Sequence, residues 1–346
     1  MGDQSKNEGL QAARAVAALS VAYFHSYIAL RAFPEAAQVP IGALKDWGFL
    51  GVNFFFAISG YVICLVVSRP GFAPVPFAIR RVFRLYPMYW ATMAIVAVLI
   101  VLGKYRPEPV GHFLYSMTLL PQQTPPAFDP SWTLEREMVF YALAVAIVPL
   151  GGIRALAIVL AALAAAGWYF GNPWSFHLVS SLQADFLAGV IAFLARDQFR
   201  RISAPLLMLA GVALLVYSRA HEFAFSVSIS SCLILAGMVE VRLPWQRAPF
   251  RWLVALGDAS YSIYLLHVVT FSVMAFVAAR LPLPEWACEP WRALAIGICC
   301  LISLATWRLI ERPMIRLGNR LAVGGGLAAF WTRESPAVVR VRSSGD

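Results

Sequence analysis

Long apolar runs, separated by short segments rich in charge or proline, follow one another along most of the chain. Their lengths are close to the roughly 17–25 residues that an α-helix needs to cross a bilayer. They predict about ten transmembrane helices, at residues 10–28, 49–68, 86–102, 132–149, 153–170, 179–195, 204–218, 223–239, 253–279 and 291–310. We therefore predict an all-α, polytopic membrane protein whose polar side chains line a central cavity.

Polar segments flank this hydrophobic region at both ends. Residues 1–9 form a short polar leader, and residues 10–316 contain all the predicted helices, with no internal repeat. Residues 317–346 turn glycine-rich and then basic, a composition that predicts a disordered tail. The first apolar run contains Arg14 and lacks a convincing cleavage site, so it does not resemble a signal peptide.

The composition is typical of a membrane protein. Of the 346 residues, 60% are hydrophobic and 13% are charged, which is unlike a large soluble protein. The net charge of +10 could indicate nucleic-acid binding, but basic loops on one membrane face explain it better, and we expect no nucleic-acid partner. The five cysteines lack the spacing of metal ligands, so we predict no metal site.

The distribution of Lys and Arg predicts the orientation of the helices. With the N-terminus inside, twenty of the 28 basic residues fall in cytoplasmic segments and the other eight fall outside. This excess is what the positive-inside rule expects. We therefore predict that both termini face the cytoplasm.

Two ionisable side chains interrupt the first predicted helix. Arg14 and His25 are about three turns apart, so they project from the same side of the helix, roughly 16 Å apart along its axis. A neutral imidazole has a free nitrogen lone pair and can act as a general base on a hydroxyl. Alternatively, Arg14 extends to the interface and His25 bonds to a neighbouring helix. Ionisable groups within a membrane are costly, which favours a functional site.

A second candidate group lies near the start of the fourth predicted helix. Glu137 enters from the outer side to a depth similar to that of His25, so the two could meet and the carboxylate could stabilise an imidazolium. Tyr141, one turn further along the same face, could donate a hydrogen bond to Glu137. The alternative is a buried polar pair with a purely structural role.

Three arginines precede the third predicted helix. Arg80, Arg81 and Arg84 have spacings of three and four residues, and such clustered guanidinium groups make a good phosphate site. The alternative is a topological anchor at the cytoplasmic interface, with the neighbouring aromatic residues as an interfacial belt. No glycine-rich phosphate loop accompanies them.

The segment LGDASYSIYLLH in the ninth predicted helix contains three further polar side chains. Ser260, Tyr264 and His267 are four and three residues apart and share one face. They could line the same cavity as His25, or they could form a satisfied packing network. The sequence favours neither interpretation.

In chain order, these segments resemble six motifs of acyltransferase family 3, a family of integral membrane acyltransferases. Arg14 to His25 resembles its Arg-x10-His motif, GVNFFFAISGYVI its second-helix signature, and RRVFRLYPMYW its arginine motif. WTLEREMVFY resembles its W-[ST]-L-x-x-E-x-x-F-Y motif, and LGDASYSIYLLH and RLIERP resemble its late motifs. Each motif is weak alone, but the order of all six from Leu10 to about Arg316 is strong.

The resemblance implies transfer of an acyl group, usually acetyl from acetyl-CoA, to a hydroxyl of a glycan or a lipid-linked saccharide. The short chain and its opening, LQAARAVAAL, are most similar to the exopolysaccharide-acetylating subgroup. The expected partners are acyl-CoA, the glycan acceptor, the lipid bilayer and other polysaccharide-assembly proteins. The expected location is a bacterial inner membrane.

The resemblance also implies roles for individual residues around a cavity lined by predicted helices 1, 2, 3, 4 and 9. Asn53 departs from the family, in which many members have Asp, and we interpret it as a packing or positioning group. The expected site consists of His25, Glu137 and Arg14 for catalysis, Arg80, Arg81 and Arg84 for donor binding, and Tyr141, Ser260, Tyr264 and His267 in the substrate cavity.

Two other functions compete with acyl transfer. A proton-coupled transporter or flippase would use the same intramembrane His and Glu as a proton relay, but the chain lacks the inverted repeats that many transporters contain. A non-enzymatic membrane scaffold would make the polar residues purely structural, which the ordered motifs disfavour.

Overall fold

In the computed structural model, the described residues 7–172, 177–221 and 223–323 form helices joined by turns and short loops, and no β-strand occurs among them. The prediction of an all-α protein is therefore confirmed. The α-helices are α1 (Glu8–His25), α2 (Gly42–Trp47), α3 (Gly51–Val67), α4 (Pro74–Val101), α5 (Val110–Ser116), α6 (Trp132–Tyr169), α7 (Gln183–Leu194), α8 (Arg196–Phe199), α9 (Ala204–Ala220), α10 (Ser226–Glu240), α11 (Phe250–Asp258), α12 (Ser260–Ala278), α13 (Cys288–Thr306) and α14 (Arg312–Val323).

Within the described ranges, six helical segments are long and apolar enough to cross a membrane. Large apolar side chains such as Leu150 and Val101 are 90% and 85% exposed, as expected of side chains that face lipid. The protein is a multi-pass membrane protein. The six segments are Glu8–Leu30, Gly42–Val67, Pro74–Val101, Asp129–Tyr169, Ser260–Ala278 and Glu285–Val323.

This division differs from the prediction of about ten spans. One long segment, α6, contains two of the predicted helices. The backbone bends between them at Gly152, which has non-helical dihedral angles (φ 72°, ψ −174°). Three further predicted helices are apolar but shorter than a full span, at Gln183–Leu194, Ala204–Ser218 and Ser226–Glu240. Helix length therefore supports six spans.

The third predicted helix starts well before residue 86. α4 begins at Pro74, and a proline in the first turn is tolerated because that turn has no backbone N–H partner to lose. The prolines between residues 69 and 84 predict a loop that ends at the arginines. Instead, Arg80, Arg81 and Arg84 lie within α4, so helical geometry fixes the directions in which they project.

The ninth predicted helix is two helices. α11 ends at Asp258 and α12 begins at Ser260, with Ala259 at a non-helical ψ of 6° between them. In the first turn of α12, the carboxylate of Glu311 accepts hydrogen bonds from the hydroxyl of Ser262 and from its backbone N–H, at 3.0 Å. A carboxylate at this position stabilises a helix N-terminus, which explains a new helix start without a proline.

Small residues allow the central helices to approach closely. α1 packs against α3, α10, α11 and α12, with fully buried alanines such as Ala12 and Ala13 on its inner faces. Where α3 crosses α7, a Cβ atom on Gly60 would lie 2.1 Å from the carbonyl oxygen of Phe186. Only glycine permits this contact, which is typical of helix packing in membranes.

The last described helix corrects a predicted boundary. α14 extends to Val323 and packs against α4, so residues 317–323 are helical rather than part of a disordered tail. The rest of the predicted tail, and residues 1–6 of the predicted leader, lie outside the described residues.

Candidate active site

Two cavities among the described residues are lined by charged side chains. The first, which we call the arginine cavity, is a narrow space of about 90 Å³ between α1, α3, α4, α6 and α12. These helices correspond to predicted helices 1, 2, 3, 4 and 9. Three arginines and one glutamate line it, which gives a formal charge of three minus one, or +2. Its polar lining is Arg14, Ser59, Arg81, Arg84, Thr133, Glu137, Tyr141, Ser260, Tyr261 and Tyr264.

The three guanidinium groups are oriented by polar and aromatic contacts. Nε of Arg14 donates to the hydroxyl of Ser260 at 3.1 Å. The guanidinium of Arg81 lies 5.1 Å from the ring centre of Phe77 and 5.2 Å from that of Tyr141. Arg84 forms no ion pair with a carboxylate of the described residues. Glu137 and the buried Glu311 lie close enough to attract these guanidinium groups. Three guanidinium groups that converge on one cavity are suited to bind an anion.

Glu137 bonds to hydroxyl groups rather than to an arginine. Its Oε1 accepts hydrogen bonds from Ser59 of α3, at 2.9 Å, and from the hydroxyl of Tyr141, one turn along α6. The predicted bond from Tyr141 to Glu137 is confirmed. These bonds fix the position of the carboxylate, whose charge still attracts Arg14 and Arg81.

Arg80 lies outside this cavity, contrary to the prediction that it joins Arg81 and Arg84. Its side chain is exposed, whereas Arg81, Arg84 and Leu85 of α4 line the cavity. Consecutive residues project about 100° apart around a helix. The spacing of four residues between Arg80 and Arg84 therefore places Arg80 near the edge of the helix face that lines the cavity, but not in the lining itself.

The second cavity, which we call the histidine cavity, has a volume of about 530 Å³ and surrounds the C-terminal end of α1. Both His25 and His267 line it, as does Asn53. Its charged lining residues are Arg31, Lys104, Arg106 and Asp129.

The two imidazoles are hydrogen-bonded to each other. Nδ1 of His267 lies 2.6 Å from the carbonyl oxygen of Tyr264, and its Nε2 lies 3.3 Å from Nδ1 of His25. Nδ1 of His25 also lies 3.0 Å from the carbonyl oxygen of Val21. A carbonyl oxygen only accepts, so in the neutral rings both Nδ1 atoms carry the hydrogen. The lone pair on Nε2 of His25 is then left for a ligand.

A network of charged side chains holds the loop at the edge of this cavity. Arg106 donates to Glu108 at 2.6 Å and to Asp129 at 2.7 Å, and Nδ1 of His112 lies 2.6 Å from Glu108. Burial opposes the charge of Glu108, but the hydrogen bonds from His112 and Arg106 outweigh it and lower the pKa of this carboxyl. The network ties the segment after α4 to the start of α6.

His25 and Glu137 do not form the predicted pair. They line different cavities, and the polar partners of His25 are Val21 and His267. The prediction placed both at one depth, but α1 ends at His25, whereas Glu137 lies more than one turn inside α6. Arg14 likewise shares its cavity with Glu137 and not with His25.

Tyr264 lies between the two cavities and belongs to the lining of both. Its hydroxyl accepts a hydrogen bond from Thr133 at 2.8 Å and donates to the carbonyl oxygen of Pro130 at 3.1 Å. The sequence placed Ser260, Tyr264 and His267 on one face that could line the cavity of His25. In the structure Tyr264 and His267 line that cavity, whereas Ser260 lines the arginine cavity. Together they connect the arginine cavity to the histidine cavity along α12.

Besides Glu135 near the start of α6, sequence reasoning missed two buried acids, Asp185 and Glu311. Asp185, which is 1% exposed, accepts hydrogen bonds from Asn53 at 2.7 Å and from Ser228 at 2.6 Å. Asn53 is therefore a positioning group that joins α3 to α7, as interpreted. Glu311 caps α12 behind the arginine cavity. Both acids interrupt apolar helices. Burying a carboxylate in a membrane helix costs free energy, and this cost was the signal that could have identified them.

The sequence profile of the acyltransferase domain of acyltransferase family 3 matches residues 7–309, which is most of the chain. The protein belongs to this family. It is therefore an enzyme that transfers acyl groups, and the motif resemblance is confirmed. Residues of both cavities fall within the matched range.

Two relatives extend this result. Over 304 residues the chain is 27% identical to the exopolysaccharide production protein ExoZ of Rhizobium meliloti, covering 81% of this chain and 94% of ExoZ. Over 321 residues it is 26% identical to BcsY of Komagataeibacter xylinus, whose name proposes a membrane-bound transacylase, covering 82% of this chain and 80% of BcsY. No solved structure matches the chain.

Proposed function

We propose that this acyltransferase moves an acetyl group from acetyl-CoA to a hydroxyl of an exopolysaccharide or its lipid-linked precursor, in a bacterial inner membrane. The acceptor class is supported by the similarity to ExoZ, which is named for exopolysaccharide production. The donor class is supported by the arginine cavity, where three guanidinium groups face a single carboxylate.

In this proposal the arginine cavity binds the donor. Arg81 and Arg84 project from the first half of α4, and Arg14 from the first half of α1, at the ends that the positive-inside rule assigns to the cytoplasm. Guanidinium groups bind phosphate oxygens in pairs of parallel hydrogen bonds, which suits the phosphates of CoA. The narrow cavity leads the acyl end of the donor towards Tyr264.

The acceptor enters the histidine cavity. Nε2 of His25 takes the proton of the acceptor hydroxyl as its oxygen attacks the thioester carbonyl carbon. The C–S bond breaks, the CoA thiolate leaves with the proton from His25, and the products are the O-acyl glycan and CoA. A two-step variant, in which Nε2 of His25 carries the acyl group, uses the same geometry.

The observation that carries this proposal is the continuity of two chemically different cavities along α12. Ser260 belongs to the arginine cavity, His267 to the histidine cavity, and Tyr264 to both. Seven residues of helix separate Ser260 from His267, a distance of about 10 Å along the axis. An acyl group is small enough to cross this distance at the end of the CoA arm.

Transfer of labelled acetyl tests the proposal. Purified protein in lipid nanodiscs is incubated with [14C]acetyl-CoA and with exopolysaccharide of the source cell from which ester groups have been removed by base. We expect base-labile radioactivity in the polysaccharide, reduced roughly 10²-fold or more in His25→Ala because a general base is lost. His221→Ala, which changes an exposed histidine, is the matched control. No transfer by the wild type, or full transfer by His25→Ala, would contradict the proposal.

Proton-coupled transport, the alternative from another class, has no observation of its own among the described residues. The His25–Glu137 contact that a relay would use is absent there. Membership of an acyltransferase family favours the enzyme.

A further inference from the structure

His25 lacks the acidic partner that usually supports a catalytic histidine. No carboxylate of the described residues is hydrogen-bonded to it, and Glu137 lies in the other cavity. The side chain that does bond to His25 is a second histidine, at 3.3 Å. His25 is the last residue of α1. Within the helix its Nδ1 lies 3.0 Å from the carbonyl oxygen of Val21, and from outside the helix the one side chain hydrogen-bonded to it among the described residues is His267.

His267 is held in one orientation. It is 1% exposed, and its Nδ1–H donates to the carbonyl oxygen of Tyr264 at 2.6 Å. The ring of Phe271 packs edge-on against it, with centroids 6.1 Å apart. With Nδ1 occupied as a donor, a neutral His267 presents one remaining polar atom, the Nε2 lone pair, and that atom faces His25.

We propose that His267 is the positioning residue of His25. Its Nε2 shares the Nδ1–H of His25 with the carbonyl oxygen of Val21, and the two acceptors together hold the tautomer whose Nε2 lone pair faces the histidine cavity. This role rests on the proposed function of His25 as the base. It differs from lining a substrate cavity, because His267 acts through His25 and need not touch the acceptor.

The same bond responds to the reaction. When Nε2 of His25 takes the acceptor proton, the ring becomes an imidazolium with hydrogen on both nitrogens. Its Nδ1–H then makes a charge-assisted bond to Nε2 of His267, stronger than the neutral bond before it. The proton returns from Nε2 to the departing thiolate, so neither ring keeps a charge. In Ser-His-Asp enzymes a carboxylate orients the catalytic histidine and stabilises its imidazolium in the same way. Here the partner is an imidazole, which adds no negative charge to the cavity.

Two substitutions at one position separate positioning from packing. In His267→Gln, the amide oxygen can accept the hydrogen bond near the place of the imidazole Nε2, whereas in His267→Leu no acceptor remains. Ser218→Ala is the activity control, because Ser218 lines neither cavity and its hydroxyl bonds to the carbonyl oxygen of Leu215. Ser272→Ala is the control for chemical shifts, because Ser272 lines the same cavity as His267 and bonds to the carbonyl oxygen of Val268. Acetyl transfer is measured with the same assay, at saturating and limiting acetyl-CoA.

We expect His267→Leu to lower kcat roughly 10²-fold with an unchanged KM for acetyl-CoA, since His267 does not line the arginine cavity. His267→Gln should recover most of the lost kcat, and Ser218→Ala should retain the wild-type kcat. Equal kcat in the leucine and glutamine variants, whether both high or both low, would overturn the positioning role.

Nitrogen-15 NMR of histidine-labelled protein supplies a measurement that needs no turnover. The wild type should show His25, assigned by loss of its signals in His25→Ala, as the tautomer with hydrogen on Nδ1. The Nδ1 signal should shift in His267→Leu and much less in Ser272→Ala. A wild-type His25 with hydrogen on Nε2 would overturn the inference even if a variant fails to fold. If NMR finds the expected bond but the wild type transfers no acetyl, the proposed function fails and the catalytic role of His267 falls with it.

Discussion

The arginine cavity has its cations on guanidinium groups inside the bundle, whereas the histidine cavity has two imidazoles that are hydrogen-bonded to each other and has its cations on exposed side chains. In the first, three guanidinium groups face one carboxylate. In the second, the charged side chains lie around the edge, and Arg106 is already paired with Glu108 and Asp129. Val52 and Tyr264 line both cavities, and hydrogen bonds to Thr133 and Pro130 hold the hydroxyl of Tyr264 at this boundary.

This difference has a physical reason. A cation beside an imidazole disfavours its protonation, so arginines next to His25 would weaken it as a base. Phosphate recognition, by contrast, needs unpaired cations. By placing the two tasks in successive cavities, the fold can bind an anionic donor strongly and still keep a neutral base.

The largest effect should come from removing an unpaired cation of the arginine cavity. Arg84→Ala should weaken acetyl-CoA binding roughly 10- to 100-fold, because a hydrogen bond to a charged group contributes about 1.5–3 kcal/mol. Calorimetric titration of the purified protein with acetyl-CoA measures this directly. The control is Arg80→Ala, which removes an exposed arginine one turn earlier on α4. Equal losses of acetyl-CoA affinity in the two variants would indicate that the arginines act as a topological anchor at the membrane surface.

The contrast between Arg80 and Arg84 shows what the sequence could predict. Apolar runs located the helices because a segment in lipid must satisfy its backbone hydrogen bonds internally, as a helix does, and present apolar side chains to the lipid. Spacing on one helix then grouped Arg81 with Arg84 and Glu137 with Tyr141, since period 3.6 fixes neighbours on a face. It could not decide whether residue 80 or 81 faces inward, because that depends on how α4 packs against α6 and α14.

Contacts between helices were harder to predict. Counting residues from the membrane surface gave His25 and Glu137 similar depths, but it gave no information on which helix lies between them or where α1 ends. The start of α12 at Ser260 depends on Glu311, about fifty residues later in the chain. The bond between His25 and His267 spans 242 residues and has no local signature.

Glu137→Gln tests whether the carboxylate belongs to the donor site, as its position indicates, or supports His25, as its motif implies. Beside three arginines, loss of one negative charge should strengthen acetyl-CoA binding by up to roughly tenfold. The effect on kcat should be smaller than that of His267→Leu. Glu240→Gln, which removes a carboxylate paired with Arg200 at the surface, is the control. A loss of kcat near 10²-fold without tighter binding would restore Glu137 as the supporting acid.

Tyr264→Phe tests the boundary between the cavities. The variant keeps the ring but loses hydrogen bonds to Thr133 and Pro130, which contribute about 0.5–1.5 kcal/mol each. A looser boundary should admit water to the thioester and raise hydrolysis of acetyl-CoA relative to glycan transfer by a few-fold. The ratio of free [14C]acetate to labelled polysaccharide measures it. Tyr105→Phe, in the histidine cavity only, should leave this ratio unchanged.

The smallest effect is expected at the loop beside the histidine cavity, and its sign follows from the pKa of Glu108. Hydrogen bonds from His112 and Arg106 hold this pKa below its usual value of 4.5 in the folded protein. The ionised carboxylate therefore stabilises the fold above that value, and its contribution is lost as the pH falls through the lowered pKa.

Glu108→Gln should remove this contribution at neutral pH. Partly exposed ion pairs contribute little, so we expect a loss of up to about 1 kcal/mol, seen as a slightly lower melting temperature in detergent. The difference between wild type and variant should persist from neutral pH down to about 4.5, and it should disappear as the pH falls further, through the lowered pKa of Glu108. Asp129→Asn, which alters the more exposed partner of Arg106, should change the melting temperature less. Equal melting temperatures of Glu108→Gln and the wild type at neutral pH would mean that backbone and apolar contacts hold the loop. The charged side chains at the edge of the histidine cavity would then act on the acceptor and not on stability.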